Sequence, residues 1–308
     1  MRFLLLLTLI FLLGCEKLNE IFLEEDLLQR PPSQRCADCH AKIYEAWKES
    51  RHYHAWISEK FKEETENYSK LKCLSCHAPH QVDPLKKPLL RVERRHEGVN
   101  CIACHFKEET KSMHGPYKVW SPPHPSTQDK NYTKSEICAG CHQQTYKEWK
   151  AARVKITCQQ CHMKVVDYTW IMDKFPFFLF HTRKALHDHT FPAGKAKPKD
   201  IKIFLQDEKL NIVNVGIPHN LPTADQGNPR YYMIVKILYK NGKRKTIRRV
   251  FSAQAKTALR YLQPFMLKIP EYEKVEKIRV ELYRKLAWQK KRELVIVDEL
   301  KPVRVDYR

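Results

Sequence analysis

Five copies of Cys-x-x-Cys-His lie between residues 36 and 162, and they constrain this chain more than any other feature. They are Cys36-Ala37-Asp38-Cys39-His40, Cys73-Leu74-Ser75-Cys76-His77, Cys101-Ile102-Ala103-Cys104-His105, Cys138-Ala139-Gly140-Cys141-His142 and Cys158-Gln159-Gln160-Cys161-His162. Two thiols three residues apart followed at once by an imidazole is the attachment pattern of c-type haem. The thiols bond covalently to the porphyrin, and the adjacent His becomes an axial iron ligand. A redox dithiol or a zinc site uses Cys-x-x-Cys too, but structural zinc takes four ligands per ion. Five units that each end in His do not pair off that way. Ten of the eleven cysteines are used in the motifs, which leaves none for disulfides. The expected cofactor is therefore five covalently bound haems.

A stretch with an attachment site about every 30 residues has little room for a side-chain core, so the porphyrins must supply it. The spacing predicts an α-helical and irregular multihaem domain over 31–195. The repeat Cys39-His40-Ala-Lys-Ile-Tyr44-Glu-Ala-Trp47 recurs as Cys141-His142-Gln-Gln-Thr-Tyr146-Lys-Glu-Trp149. Tyr and Trp at offsets of four and seven from the His fall on one helical face. Residue 12 after the first His is His52, but after His142 it is Val154, so one copy carries a spare imidazole. From 196 the pattern changes. Runs rich in β-branched and aromatic residues at 201–205, 211–215, 231–239, 246–251, 265–269, 277–283 and 294–297 read as strands, with Asn241-Gly242 as a hairpin turn. Seven short strands in 196–308 predict an all-β immunoglobulin-like sandwich.

Lys and Arg total 56 against 35 Asp and Glu, a formal net charge of +21. Propionates on five haems offset roughly five of those charges when oxidised and about ten when reduced, by formal counting. The loaded protein stays basic, suited to acidic redox partners. No interleaved aromatic and basic pattern points to nucleic acid.

Arg2 precedes an apolar run from Phe3 to Leu13, too short to span a bilayer, which takes about 20 residues. A basic start and a short apolar core form an export signal. Its end, Leu12-Leu13-Gly14-Cys15, resembles the bacterial lipobox. That resemblance implies a signal peptide over 1–14, lipidation of Cys15 and a tether over 15–30. The chain is thus expected to be exported, lipid-anchored in the bacterial envelope and facing the periplasm.

Residues 36–142 resemble the cytochrome c-554 and c-552/4 family in Cys39-His40, Trp47 and His52 at the family's spacing, and in Gly98-Val99-Asn100 leading into the third motif. The resemblance implies that His52 is a distal ligand, that a His soon after the third motif is another, with His114 nearest, and that the second haem is five-coordinate. His80, three residues after His77, lies on the proximal side of its own haem. Two departures from the family are the fifth motif and the β-rich end. The segment Asn214–Thr223 resembles one found in larger multihaem proteins, which implies that His219 ligates haem 4 or 5. His187 and His189 are further ligand candidates. The metal-ligating set is thus His40, His77, His105, His142 and His162, with His52, His114, His187, His189 and His219.

Mostly bis-histidine haems leave no open coordination position, which favours electron transfer between a membrane redox module, such as a quinol-oxidising complex, and a periplasmic carrier or reductase. No catalytic side chain is assigned. The alternative is an oxidoreductase acting on a small nitrogen or sulfur compound at a five-coordinate haem. Against it, every motif ends in His, and Arg94, Arg95 and His96 read as a charged face. A docking role for the β domain is a third reading.

Overall fold

The computed structural model describes residues 23–120, 123–175, 177–225 and 227–302. The expected signal segment and Cys15 lie outside them. The chain divides into two compact units: residues 1–141 with 156–193, and residues 142–155 with 194–308. Residues 142–155, read in sequence as part of the haem domain, therefore group with the strands.

Among the described residues the α-helices are α1 (Ser33–Ala37), α2 (Ala41–Lys48), α3 (His54–Ile57), α4 (Glu59–Glu64), α5 (Leu71–His77), α6 (Cys101–His105), α7 (Gln143–Ala151) and α8 (Cys158–His162). All but α7 belong to the first unit. None is long enough to be stable in isolation, which takes roughly 12–15 residues. Each needs caps and neighbours. Ser58 caps α4 through Phe61 N, and Asn100 caps α6 through Ala103 N. Thr157 and Gln160 form a reciprocal capping box on α8. Short strands fill the gaps: β1 (Phe106–Lys107), β2 (Ser112–Gly115) and β3 (Ser126–Gln128) form one sheet, and β4 (Val165–Thr169) pairs with β5 (Lys184–His187). The apolar cluster here is small. It joins Trp56, Phe61, Leu74 and Ala78, with Tyr68, Cys73 and Leu90 against them.

The second unit holds β6 (Ile201–Gln206), β7 (Lys209–Asn214), β8 (Arg230–Tyr239), β9 (Arg244–Ser252), β10 (Phe265–Lys268), β11 (Val275–Lys285) and β12 (Glu293–Leu300). These are the seven runs expected from sequence, a residue or two longer at most ends. They form two antiparallel sheets, ordered β10-β7-β6 and β12-β11-β8-β9. Period-two alternation sets the core: Tyr231, Met233, Val235, Ile237 and Tyr239 of β8 are buried, as are Ile278, Val280 and Leu282 of β11. They share one cluster with Ile201, Ile203, Leu210 and Ile212 of the other sheet. Gly242 turns the β8–β9 hairpin at a φ of 80°, where a side chain is disfavoured. The outer strand β9 is exposed and basic at Arg244, Lys245, Arg248 and Arg249. Charge on an edge strand discourages pairing with another chain.

Candidate haem-attachment sites

Three of the five motifs sit on one or two helical turns (α5, α6 and α8), the first starts at the end of α1, and the fourth enters on a 3-10 turn at Ser135–Cys138. A turn brings both thiols and the imidazole to the same end of the segment. None of the ten motif cysteines is in a disulfide. Gly140, inside the fourth motif, approaches the carbonyl of Lys86 so closely that a Cβ would collide with it.

The proximal imidazoles share one arrangement. His40 Nδ1 donates to the Ile171 carbonyl at 2.5 Å, and His77 Nδ1 to Ala55 at 2.6 Å. His105 Nδ1 donates to His114 O at 2.7 Å, and His162 Nδ1 to Pro192 O at 2.9 Å. Fixing Nδ1–H on a carbonyl selects the tautomer whose Nε2 carries the free lone pair, as a metal-ligating His requires. Burial pushes His105 down to about 4, so it stays neutral at physiological pH, the form that binds iron. The donor set therefore fits covalent c-type haem. His142 Nδ1 lies 4.0 Å from a carboxylate oxygen of Asp225.

One network explains why Trp47, His52 and Gly98-Val99-Asn100 occur together. Trp47 Nε1 donates to Val99 O at 2.8 Å, and Val99 N donates to His52 O at 2.9 Å. Gly98, at a φ of 58°, lies so close to the carbonyls of His52 and Tyr53 that no side chain fits. The fully buried Arg91 donates to Gly98 O and Asn100 Oδ1, both at 2.8 Å. Asn100 Nδ2 reaches Glu97, whose other oxygen faces the Ser33 backbone N–H. Helix α6 with motif 3 is thereby fastened to α1 with motif 1. Arg94 and Arg95 work within this frame, donating to the carbonyls of Arg30 and Arg91. They hold backbone segments together.

The thiols of separate motifs are also neighbours. Cys36 of the first motif and Cys101 of the third are close enough to shift each other's ionisation, Cys36 up and Cys101 down. Cys138 of the fourth and Cys158 of the fifth do the same, Cys138 up and Cys158 down. Cys104 of the third is near enough to Cys138 to act on it electrostatically. The loop after the second motif braces this line, with Val82 N on Ala103 O at 2.8 Å and Leu85 N on Glu136 O at 3.0 Å. Motif 2 has aromatic surroundings instead: Phe61 stacks on the His77 ring at 3.7 Å.

The remaining expected ligands fall in different places. His52 packs its ring on Phe191 at 4.3 Å. His189 has Nδ1 on the His187 carbonyl at 2.8 Å, and burial lowers its pKa. His219 has Nδ1 on Asn220 O at 3.0 Å, in the loop after β7. His187 spends both nitrogens, on Met163 O at 2.8 Å and on the Tyr117 hydroxyl at 3.1 Å. His114 also spends both, on Asp129 at 3.3 Å and Thr110 at 2.8 Å, while its carbonyl holds His105. Its carbonyl thus supports the proximal imidazole of motif 3. His124, which the sequence reading did not select, stands near the first motif, its ring centre 6.5 Å from that of His40 and the planes at 42°. Two imidazoles on opposite sides of one metal, with bonds of about 2 Å and about 1.1 Å from nitrogen to ring centre, would be separated by about 6.2 Å. His124 Nδ1 lies 3.3 Å from Pro125 O, and burial pushes the ring down to about 4. The available signal was the flanking Pro123 and Pro125, which stiffen the backbone around a single imidazole.

Residues 35–106 match the family model described as cytochrome c554 and c-prime. Among solved structures, a penta-heme cytochrome c552 from Thermochromatium tepidum matches with a TM-score of 0.59 and 19% identity, covering 89% of this chain and 100% of that chain. That likeness is of fold. A structure described for CC2D1B and its coordination of ESCRT-III activity at the reforming nuclear envelope covers 32% of this chain and 42% of that chain at 16% identity; its TM-score of 0.18 carries no argument. No curated protein matches the chain.

Proposed function

We propose that this multihaem c-type cytochrome of the c554/c552 type is a five-haem electron wire whose order along the attachment line is motif 1, 3, 4, 5. The observation that carries this is that hydrogen bonds fasten neighbouring motifs together: Ser33 before motif 1 bonds Glu97, which Asn100 just before motif 3 also reaches, and Cys158 N of motif 5 bonds Ser135 Oγ at 3.1 Å, at the turn that opens motif 4. Haem iron cycling between ferric and ferrous would supply the electron chemistry; the protein supplies spacing, burial and axial ligands. His40 and His124 would hold one iron between them, and His52, His189 and His219 would serve as ligands elsewhere. The seven-strand unit is read as immunoglobulin-like. Its first, second and fifth strands share one sheet and the other four the second, a division that supports a Greek-key sandwich.

The export signal and Cys15 support a lipid-anchored periplasmic protein. The net charge of +21 supports an acidic redox partner. Low-temperature EPR of the oxidised protein with a haem count tests the wire. Five haems, at least four of them low-spin, with no change on adding nitrite or hydroxylamine, are expected. A stoichiometric high-spin signal that shifts with nitrite would replace the wire by an enzyme. Changing His124 to Ala should remove one low-spin centre; an unchanged spectrum would exclude His124 as a ligand.

A further inference from the structure

Between β4 and β5 the motif-bearing unit carries large apolar side chains on its outside. Phe175 is 74% exposed and Leu179 61%, and Tyr168 of β4 leads into them at 66%. We propose that Trp170, Phe175, Phe178 and Leu179 form a membrane-surface contact that lies on anionic phospholipid and sets the first motif toward the bilayer. The inference rests on the reading that Cys15 carries a lipid anchor.

The rings form one patch. Trp170 and Phe178 have centres 5.8 Å apart, and Phe178 and Phe175 lie 6.4 Å apart. The Trp170 indole N–H donates to His181 O at 2.9 Å, which fixes that ring. Cations border the patch. The Arg183 guanidinium lies 4.5 Å from the centre of the Trp170 ring, and Lys174 directly precedes Phe175. Exposed rings bordered by Lys and Arg suit the headgroup layer of a bilayer, where the rings take the apolar boundary and the cations meet phosphates.

The point where the tether enters selects the bilayer as occupant. Glu24 N donates to Pro123 O at 2.9 Å, and Glu24 Oε1 lies 3.9 Å from Lys174 Nζ. The chain therefore enters this unit beside the patch. Cys15 is nine residues before Glu24, a span of at most about 30 Å when fully extended. An acylated Cys15 thus keeps the bilayer close to Lys174 and Phe175. The same segment is fixed to motif 1: His40 Nδ1 donates to Ile171 O at 2.5 Å, and Asp173 N donates to Cys39 O at 3.1 Å. It grips the imidazole from the edge away from Nε2, the nitrogen left for iron. Contact with the membrane therefore places motif 1 at the membrane end of the line.

Mass spectrometry of the N-terminal peptide of the native holoprotein tests the anchor alone; an unmodified Cys15 would defeat that reading separately. The patch is tested on full-chain holoprotein exported behind a cleavable signal with Cys15→Ser, sedimented with vesicles of phosphatidylethanolamine and phosphatidylglycerol. This unlipidated protein should bind, and adding Phe175→Ser with Leu179→Ser should weaken its partitioning by roughly tenfold or more. Leu262→Ser, at a similarly exposed leucine of the strand unit, should change nothing. Should the double variant express poorly, Phe175→Ser alone must weaken binding in the same direction. Undiminished binding of the patch variants would put the membrane attraction on charge elsewhere and overturn the inference. So would a lower haem count or altered low-spin spectrum in both patch variants, which would make the patch a wall of a haem site. A patch-dependent dimer in ultracentrifugation, without vesicle binding, would give the patch to a second copy and overturn it too.

Discussion

The two units of this chain fold on different principles. The β-strand unit buries a continuous cluster of twenty residues, from Ala196 to Val295, drawn from both sheets. The motif-bearing unit gathers four buried residues in its cluster, around Trp56 and Leu74, although it carries all ten motif cysteines. Its other buried residues are scattered apolar ones, such as Trp47, Ile102 and Phe106, and polar ones, such as Arg91, Glu97, Asn100 and Ser33. The first is a core that side chains complete by themselves. The second is a set of one- and two-turn helices that carry the attachment motifs. A cofactor that serves as core ties folding to its own attachment, whereas a pair of sheets sharing one apolar cluster needs only its sequence.

The strongest way to break this contrast is to withhold haem. In the full chain expressed without c-type maturation, residues 23–141 and 156–193 should show no cooperative unfolding and rapid proteolysis, while the strands of 194–308 melt cooperatively. A protease-resistant, haem-free first unit would end the distinction. Next in size is the core of the strand unit. Ile278→Ala, at a fully buried position, should cost about 2–5 kcal/mol, seen as a lower melting temperature of the β unit with the haem spectrum unchanged. In the first unit, Gly98→Ala forces a side chain against the His52 and Tyr53 carbonyls at a φ of 58°. It should cost about 1–3 kcal/mol and disturb one low-spin haem signal, because His52 moves with the strain.

The smallest effect concerns acid. Glu281 is held by Lys236 at 2.8 Å, Arg279 at 2.9 Å and the Tyr283 hydroxyl at 3.1 Å. These partners draw its carboxyl from the ordinary 4.5 down to about 2. A carboxylate whose folded pKa is depressed stabilises fully above its unfolded value and loses that contribution as pH falls through the folded one. Glu281→Gln should therefore lower β-unit stability at neutral pH and flatten its decline between about pH 4.5 and pH 2. An unchanged acid-unfolding curve would show that solvent screens the exposed Lys236 and Arg279 partners.

The tyrosine and tryptophan repeat was legible because a helix repeats locally. Tyr44 and Trp47 pair at 5.7 Å on α2, and Tyr146 and Trp149 pair at 5.6 Å on α7. What the repeat could not reveal is that the second copy belongs with the strands. Asp225, Thr223 and Asn220 lie roughly 80 residues away and bond to it only after the chain folds back. His114 and His124 divide in the same way. Both are imidazoles soon after motif 3, but Asp129 and Thr110 occupy the ring of one, while the other faces His40.

The sequence by itself determined the five attachment points and the seven strands, because covalent spacing and two-residue alternation are local properties. Only the tertiary structure decided which carbonyl holds which proximal imidazole and which distant residues fasten one motif to the next, as Ser33 and Asn100 do through Glu97. Those are contacts between residues far apart in the chain, and packing within each unit settles them.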